Sequence, residues 1–245
     1  MKALILAAGY ATRLYPLTKH WPKPLLLVKE KPIISHIAEK IDNLNGIDEI
    51  IVITNNKFFH YFEEWAGHFT FKTKISVLND KTTSEKDRLG AIGDINFVLN
   101  NHAVDDDLLI VGGDNLFSFD LKKFVAFAKN KNNDCTVGVY NIKDPSLVKH
   151  YGVVTLDDEN RIIRFQEKPE YSDSTLISMC IYYFPRKSLE SVREYVRKKD
   201  CHDTSGDYIS WLHKEKNVFG YEFEGVWYDI GDIITFYHAS VTFKE

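Results

Sequence analysis

The stretch Ala3-Leu4-Ile5-Leu6-Ala7-Ala8-Gly9-Tyr10-Ala11-Thr12-Arg13-Leu14-Tyr15-Pro16 decides how the chain is read, because an apolar run of strand length passes directly into a turn and a basic loop. Comparable runs recur at Glu49–Thr54, Lys74–Leu78 and Leu108–Val111, with helical spacing between them. Ile33, Ile34, Ile37, Ala38, Ile41 and Leu44 fall on one helix face, and Leu89–Leu99 and Leu121–Ala128 repeat the pattern. This alternation predicts an α/β first half, about residues 1–134, with a mainly parallel sheet covered by helices on both faces.

From Cys135 the segments shorten and alternate: Cys135–Tyr140, Gly152–Leu156, Ile162–Phe165 and Met179–Phe184, then a helix near Leu189–Arg197. The second half, about 135–245, is therefore the smaller, β-rich lobe. No Gly/Ser linker, charge block or internal repeat separates the halves, so residues 1–245 read as one domain with two lobes and a ligand cleft.

The chain carries 31 Lys plus Arg against 35 Asp plus Glu, a net charge of -4, without the basic excess of a nucleic-acid binder. Cys135, Cys180 and Cys201 are far apart and form no CxxC pair, which speaks against a disulfide framework or zinc cluster and for the reducing cytoplasm. No apolar run reaches the roughly 18 residues of a membrane span, and Ala3–Ala8 is too short for a signal peptide.

Open parallel sheets bind ligands at the carboxyl ends of their strands, which directs attention to Ala8–Leu25 and Gly112–Phe117. The first segment holds Pro16, Pro22 and Pro24 with Arg13, Lys19 and Lys23, too long and too proline-rich for a simple βα turn. The first acid in the chain is Glu30; at this acid content, so long an acid-free start arises by chance roughly once in a hundred sequences. The loop suits an anion: Gly9 permits a tight turn with amides turned to phosphate, Arg13 offers a bidentate fork and Lys23 a mobile charge. It is neither a P-loop nor a dinucleotide fingerprint. An ordinary solvated loop remains an equal alternative on these grounds alone.

Val111-Gly112-Gly113-Asp114-Asn115 delivers a carboxylate to a strand end, where Mg²⁺ is the usual reason for an acid beside phosphate. Asp105, Asp106 and Asp107 precede that strand at its opposite end and read as a solvated turn. Downstream, Trp227-Tyr228-Asp229-Ile230-Gly231-Asp232 leads into a final helix that Asp232 is placed to cap; Asp229 alone is equally compatible with a cap or turn.

Leu6 to Thr18, followed by Pro22-Lys23-Pro24-Leu25-Leu26, closely resembles the signature loop of the sugar-1-phosphate nucleotidylyltransferases. The Gly-Asp of Gly113-Asp114, the W-x-D-x-G of Trp227–Gly231, the Y-G-V of Tyr151–Val153 and the E-K-P of Glu167–Pro169 resemble further family motifs in the family's order, so the resemblance covers essentially the whole chain. It implies a Rossmann-like fold in which the loop, with Leu6, Ala8, Gly9 and Thr12, wraps a nucleoside triphosphate. Arg13 would grip the phosphates, Lys23 would orient the reacting groups, and Gly90 would join the nucleotide site. Asp114 and Asp229 would hold Mg²⁺, with Asp114 also contacting nucleotide. Glu167 would accept sugar hydroxyls, Lys168 would contact the sugar phosphate, and Gly152 would let the sugar approach the backbone.

The resemblance implies Mg²⁺-dependent transfer of a nucleotidyl group from an NTP to a sugar 1-phosphate, releasing pyrophosphate. The short form is similar to the glucose-1-phosphate thymidylyltransferases, which favours dTTP or UTP and glucose 1-phosphate. At this length there is no room for the β-helix or acyltransferase domain of longer members. The family motif often has a second glycine where Ala11 stands, a glycine before the strand that reads as Met179–Phe184, and a glutamine in the base-contact region, here Lys81–Gly93, where this chain has none. Two alternatives stay open: a cytidylyltransferase acting on phosphocholine or another phosphorylated alcohol, and a catalytically silent nucleotide-sugar sensor.

Overall fold

The computed structural model describes residues 1–68, 70–131, 134–198 and 204–244. Along the chain run β1 (Lys2–Leu6), β2 (Leu27–Val28), β3 (Lys31–Pro32), α1 (Ile33–Asp42) and β4 (Glu49–Thr54). Next come α2 (Phe59–His68), β5 (Lys74–Asn79), α3 (Gly90–Asn101), β6 (Leu108–Gly112) and β7 (Asn115–Phe117). They are followed by α4 (Lys122–Asn130), β8 (Cys135–Asn141), β9 (Gly152–Leu156), β10 (Ile162–Glu167) and β11 (Leu176–Phe184). The last elements are α5 (Leu189–Lys198), α6 (Ser205–Glu215), β12 (Val218–Phe223), β13 (Trp227–Asp229) and α7 (Ile233–Thr242). No helix among the described residues is long and apolar enough to cross a membrane.

The chain divides into two compact units, the first from Met1–Gly90, Val111–Leu121 and Gly225–Glu245, the second from Ala91–Ile110 and Lys122–Glu224. Division by chain order near residue 134 would leave Gly225–Glu245 with the second lobe; in the structure it belongs to the first unit, because β13 pairs with β7.

In the first unit β1, β4 and β5 lie side by side in that order, with β1 and β5 both parallel to β4. Every residue of β4 is buried, as its unbroken apolar run requires of a strand covered on both faces. Its one acid, Glu49, is held by Lys2 Nζ at 2.6 Å, Ser76 Oγ at 2.6 Å and Lys74 Nζ at 3.1 Å. Helix α1 buries Ile33, Ile34, Ile37, Ala38 and Ile41, the face its spacing predicts, each large side chain contributing about 1.5–3 kcal/mol. At the strand ends, Gly113 N donates to Leu6 O at 2.8 Å, and a Cβ on Gly113 would fall 2.7 Å from that oxygen. Glycine is therefore required where the chain leaves β6 for Asp114.

In the second unit β8 pairs antiparallel with β11 and parallel with β12, while β9 and β10 form an antiparallel hairpin joined to β11. The hairpin register places Glu167 opposite Gly152. Strand β12 and helix α6 are additions to the sequence reading. Helix α6 starts at a Thr204 cap, whose Oγ1 accepts from Asp207 N at 3.1 Å.

Candidate functional site

The loop after β1 is tied down along its length. Ala7 O accepts from Thr54 Oγ1 at 3.2 Å and Ala8 O from Asn55 Nδ2 at 2.8 Å, so the end of β4 clamps the start of the loop. Thr12–Leu14 forms a 3-10 turn preceded by Ala11, which is left-handed at φ 48 and ψ 44. The carbonyl of Ala11 accepts from the fully buried Thr18 hydroxyl at 2.7 Å. Gly9 is exposed, with open space where a Cβ would stand and no positive φ. The tight left-handed residue of this loop is thus Ala11 and not Gly9. The buried ring of Tyr10 reaches the segment after β5, its hydroxyl 3.2 Å from Thr82 Oγ1, and Thr82 in turn donates to Asp80.

A second 3-10 turn, Lys23–Leu25, aims Lys23 at the end of β6. Its ammonium donates to Asp114 Oδ2 at 2.6 Å and to Ile230 O at 2.8 Å. Ile230 N donates to Asp114 O at 3.1 Å, and β13 pairs with β7 so that Asp229 stands opposite Asn115. Asn115 is buried and donates to Asp114 Oδ1 and to Gly112 O, each at 3.2 Å, while accepting from Trp227 Nε1 at 2.8 Å. The carboxylate of Asp114 is therefore set by Lys23 on one oxygen and Asn115 on the other.

Burial pushes the Asp229 carboxyl up to about 6; the negative charge of Asp114 adds to the rise, and Lys23 and Arg13 oppose it. Arg13 is exposed; the Asp232 carboxyl is lowered chiefly by the backbone N–H of Thr235, with a smaller contribution from the charge of Arg13. Arg13, Lys23, Asp114 and Asp229 thus form one electrostatic group within the first unit. Leu6, at the end of β1, is tied to this group's strand ends through Gly113 N; Thr12 is exposed in the first 3-10 turn, and Gly90 opens α3 at φ 73. Asp232 caps α7, its Oδ1 accepting from Thr235 N at 2.8 Å, as its position predicts.

In the second unit, Glu167 ends β10 and Lys168 follows at φ 44, its N–H donating to Tyr151 O at 3.0 Å. Their side chains lie 3.6 Å apart. Burial raises the Glu167 carboxyl, Lys168 draws it down and Asp207 raises it again. Asp207 carries no sequence signal, and neither does Gly206, beside it in α6. Asp105–Asp107 has structural partners: Arg186 lies 2.6 Å from Asp105, and Asp107 accepts from Tyr183 Oη and Arg186 N. Cys135 and Cys180 are not in disulfides, and Cys201 lies outside the described residues.

A family model described as nucleotidyl transferase matches residues 2–245. The bifunctional protein GlmU of Methanocaldococcus jannaschii is 35% identical over 231 residues, covering 94% of this chain and 51% of that protein. A UTP–glucose-1-phosphate uridylyltransferase of Synechocystis is 30% identical over 253 residues, covering 98% of this chain and 62% of the relative. The chain spans about half the length of the GlmU relatives it matches. A solved structure provisionally described as a glucose-1-phosphate thymidylyltransferase from Bacillus anthracis, in complex with a sucrose, has a TM-score of 0.84 at 24% identity, covering 100% of this chain and 98% of that one. UDP-glucose pyrophosphorylase complexed with UDP-glucose gives 0.81 at 23% identity, covering 98% and 96%. These structural likenesses show the fold: a Rossmann-like, mainly parallel central sheet with helices, plus smaller antiparallel sheets.

Proposed function

The chain belongs to the nucleotidyl transferase family, and from that premise we propose that it joins an NTP to a sugar 1-phosphate, forming an NDP-sugar and releasing pyrophosphate. The observation that carries this reading is the meeting of Arg13 and Lys23, from one basic loop, with Asp114 and Asp229, from two strand ends far apart in the chain. Relatives that act on sugar phosphates by name support the acceptor class. We favour dTTP or UTP as donor and glucose 1-phosphate as acceptor.

The residues fit a divalent cation. Asp114 and Asp229 are hard oxygen donors, and burial, with repulsion from Asp114 adding to it, lifts the Asp229 carboxyl, a cost that a hard ion relieves. Mg²⁺, when bound by these two carboxylates, supplies charge neutralisation to the phosphates. Arg13 binds the triphosphate, and Lys23 orients the reacting groups with an ammonium already fixed by Asp114 and Ile230 O. Lys168 receives the sugar phosphate and Glu167 accepts sugar hydroxyls, while the space beside Gly152 is taken by Phe165 and the Glu167 carboxylate and not by the ring. An oxygen of the sugar phosphate attacks the α-phosphorus in line; the new P–O bond forms as the bond to the bridging oxygen breaks and pyrophosphate leaves. The attacking oxygen is already anionic at neutral pH, so no general base is needed. The wide spacing of Cys135, Cys180 and Cys201, with no CxxC pair, suits a cytoplasmic setting.

The test is pyrophosphate release across a matrix of nucleoside triphosphates and phosphorylated acceptors, with and without Mg²⁺. The expected result is Mg²⁺-dependent release with sugar 1-phosphates, greatest for glucose 1-phosphate with dTTP or UTP. Release confined to CTP with phosphocholine would transfer the reading to the phosphorylated-alcohol enzymes, and binding without release would make the chain a sensor.

A further inference from the structure

Gly206 lies in the first turn of α6, one residue before Asp207. Its own backbone does not call for glycine, since its φ is not positive, and a helical turn favours alanine over glycine. The reason for glycine lies across the turn. A Cβ on Gly206 would fall 1.9 Å from Glu167 Oε2, 2.6 Å from its Cδ and 3.0 Å from Oε1. On another flank the same oxygen meets Gly152, whose Cβ would stand 3.0 Å away and only 2.5 Å from Phe165 Cζ. The carboxylate is thus lodged between two residues that lack side chains, one on β9 and one on α6. Ser205, the other residue of this turn, accepts at 2.9 Å from the hydroxyl of the buried Tyr182.

We propose that Gly206 is a positioning residue for Glu167: the missing side chain lets the carboxylate lie against the first turn of α6, which sets where hydroxyl groups of the acceptor are received. The inference deepens the proposed function and rests on its reading of Glu167 as the group that accepts sugar hydroxyls. It also separates Gly206 from an ordinary packing glycine. The clashing atoms are the far end of a flexible side chain, so an alanine at 206 is relieved by rotation of Glu167 and not by movement of the backbone. The fold survives and the carboxylate moves.

The experiment compares Gly206→Ala in the wild-type and Glu167→Ala backgrounds, with two readouts. The first is steady-state kinetics. Gly206→Ala is expected to raise KM for the sugar 1-phosphate about tenfold while leaving KM for the NTP within about twofold, and to add nothing to Glu167→Ala. The second readout needs no substrate: the titration of Glu167 followed by carbon NMR of δ-labelled glutamate, its signal assigned by loss in Glu167→Gln. Burial holds this carboxyl up in the wild type, beside Lys168 and Asp207. Displacement by alanine is expected to bring it back toward the ordinary glutamate value. An unshifted titration, or an equal KM rise in both backgrounds, overturns the role of Gly206. Failure of the wild type to use any sugar 1-phosphate would instead count against the proposed function, with the NMR titration still deciding whether Gly206 places Glu167. If Gly206→Ala alone fails to fold while Gly206→Ala with Glu167→Ala folds, the contact between the two residues is confirmed directly.

Discussion

Lys23 and Asp114, separated by 91 positions in the chain, meet in a 2.6 Å ion pair, and the same ammonium donates to the carbonyl of Ile230. One side chain therefore fastens the basic loop to two strand ends that each bring a carboxylate. Lys23→Met would leave Asp114 and Asp229 facing one another without their shared cation. The expected loss of stability is about 1–3 kcal/mol, read from urea unfolding, and Asp114→Asn in the same chain should return part of it. Equal loss in both backgrounds would show that Lys23 acts through packing and not through charge.

Asp114→Asn keeps the shape of the side chain and removes its charge. Pyrophosphate release in the presence of Mg²⁺ is expected to fall by at least about a hundredfold with the fold intact. Near-normal turnover by a variant with a normal circular dichroism spectrum would refute the assignment of Asp114 as a metal ligand.

The raised Asp229 carboxyl gives a pH dependence with a definite sign. Its folded value of about 6 stands above the unfolded 3.8, so the protonated form stabilises the metal-free protein below the unfolded value, and this contribution is lost as pH rises through about 6. A divalent ion needs the ionised form and competes with the proton. Calorimetric titration with Mg²⁺ should therefore show affinity climbing by up to about tenfold per pH unit below 6 and levelling off above it. A flat profile between about pH 5 and 7 would mean that Asp229 is not a ligand.

Ala11 holds a left-handed backbone that costs an alanine about 1–2 kcal/mol. Glycine relieves that strain and gives back part of the gain through the freedom of its unfolded chain, about 0.4–1 kcal/mol. Ala11→Gly should therefore raise stability by up to about 1 kcal/mol, visible as a thermal midpoint about 2–4 °C higher. A drop in midpoint would show that the methyl group packs usefully in the loop.

Much of the first unit is legible from local pattern. The runs that make β1 and β4 are continuous apolar segments, α1 has a clean helical spacing, and the burial of Ile33, Ile37 and Ile41 follows from it. The pairing of β7 with β13 is not legible in this way. Each strand is three residues long, and their partnership depends on contacts across the chain such as Trp227 Nε1 to Asn115 Oδ1. The motif order brings Asp114 and Asp229 together, yet nothing in the sequence marks Asn115 as the residue that holds one of them in place. In the second unit, Gly206 is silent because a helical glycine has no periodic signature; its meaning lies in Glu167, about forty positions away in the chain but adjacent in the fold.

The pairing of β13 with β7 also sets an order of events during synthesis. Arg13 and Lys23 are synthesised before Asp114, and Asp229 follows only after more than a hundred further residues. A nascent chain that has not reached residue 229 carries the cations and one carboxylate without the other. On the proposed reading, the pair of carboxylates is complete only once β13 has been made and has paired with β7.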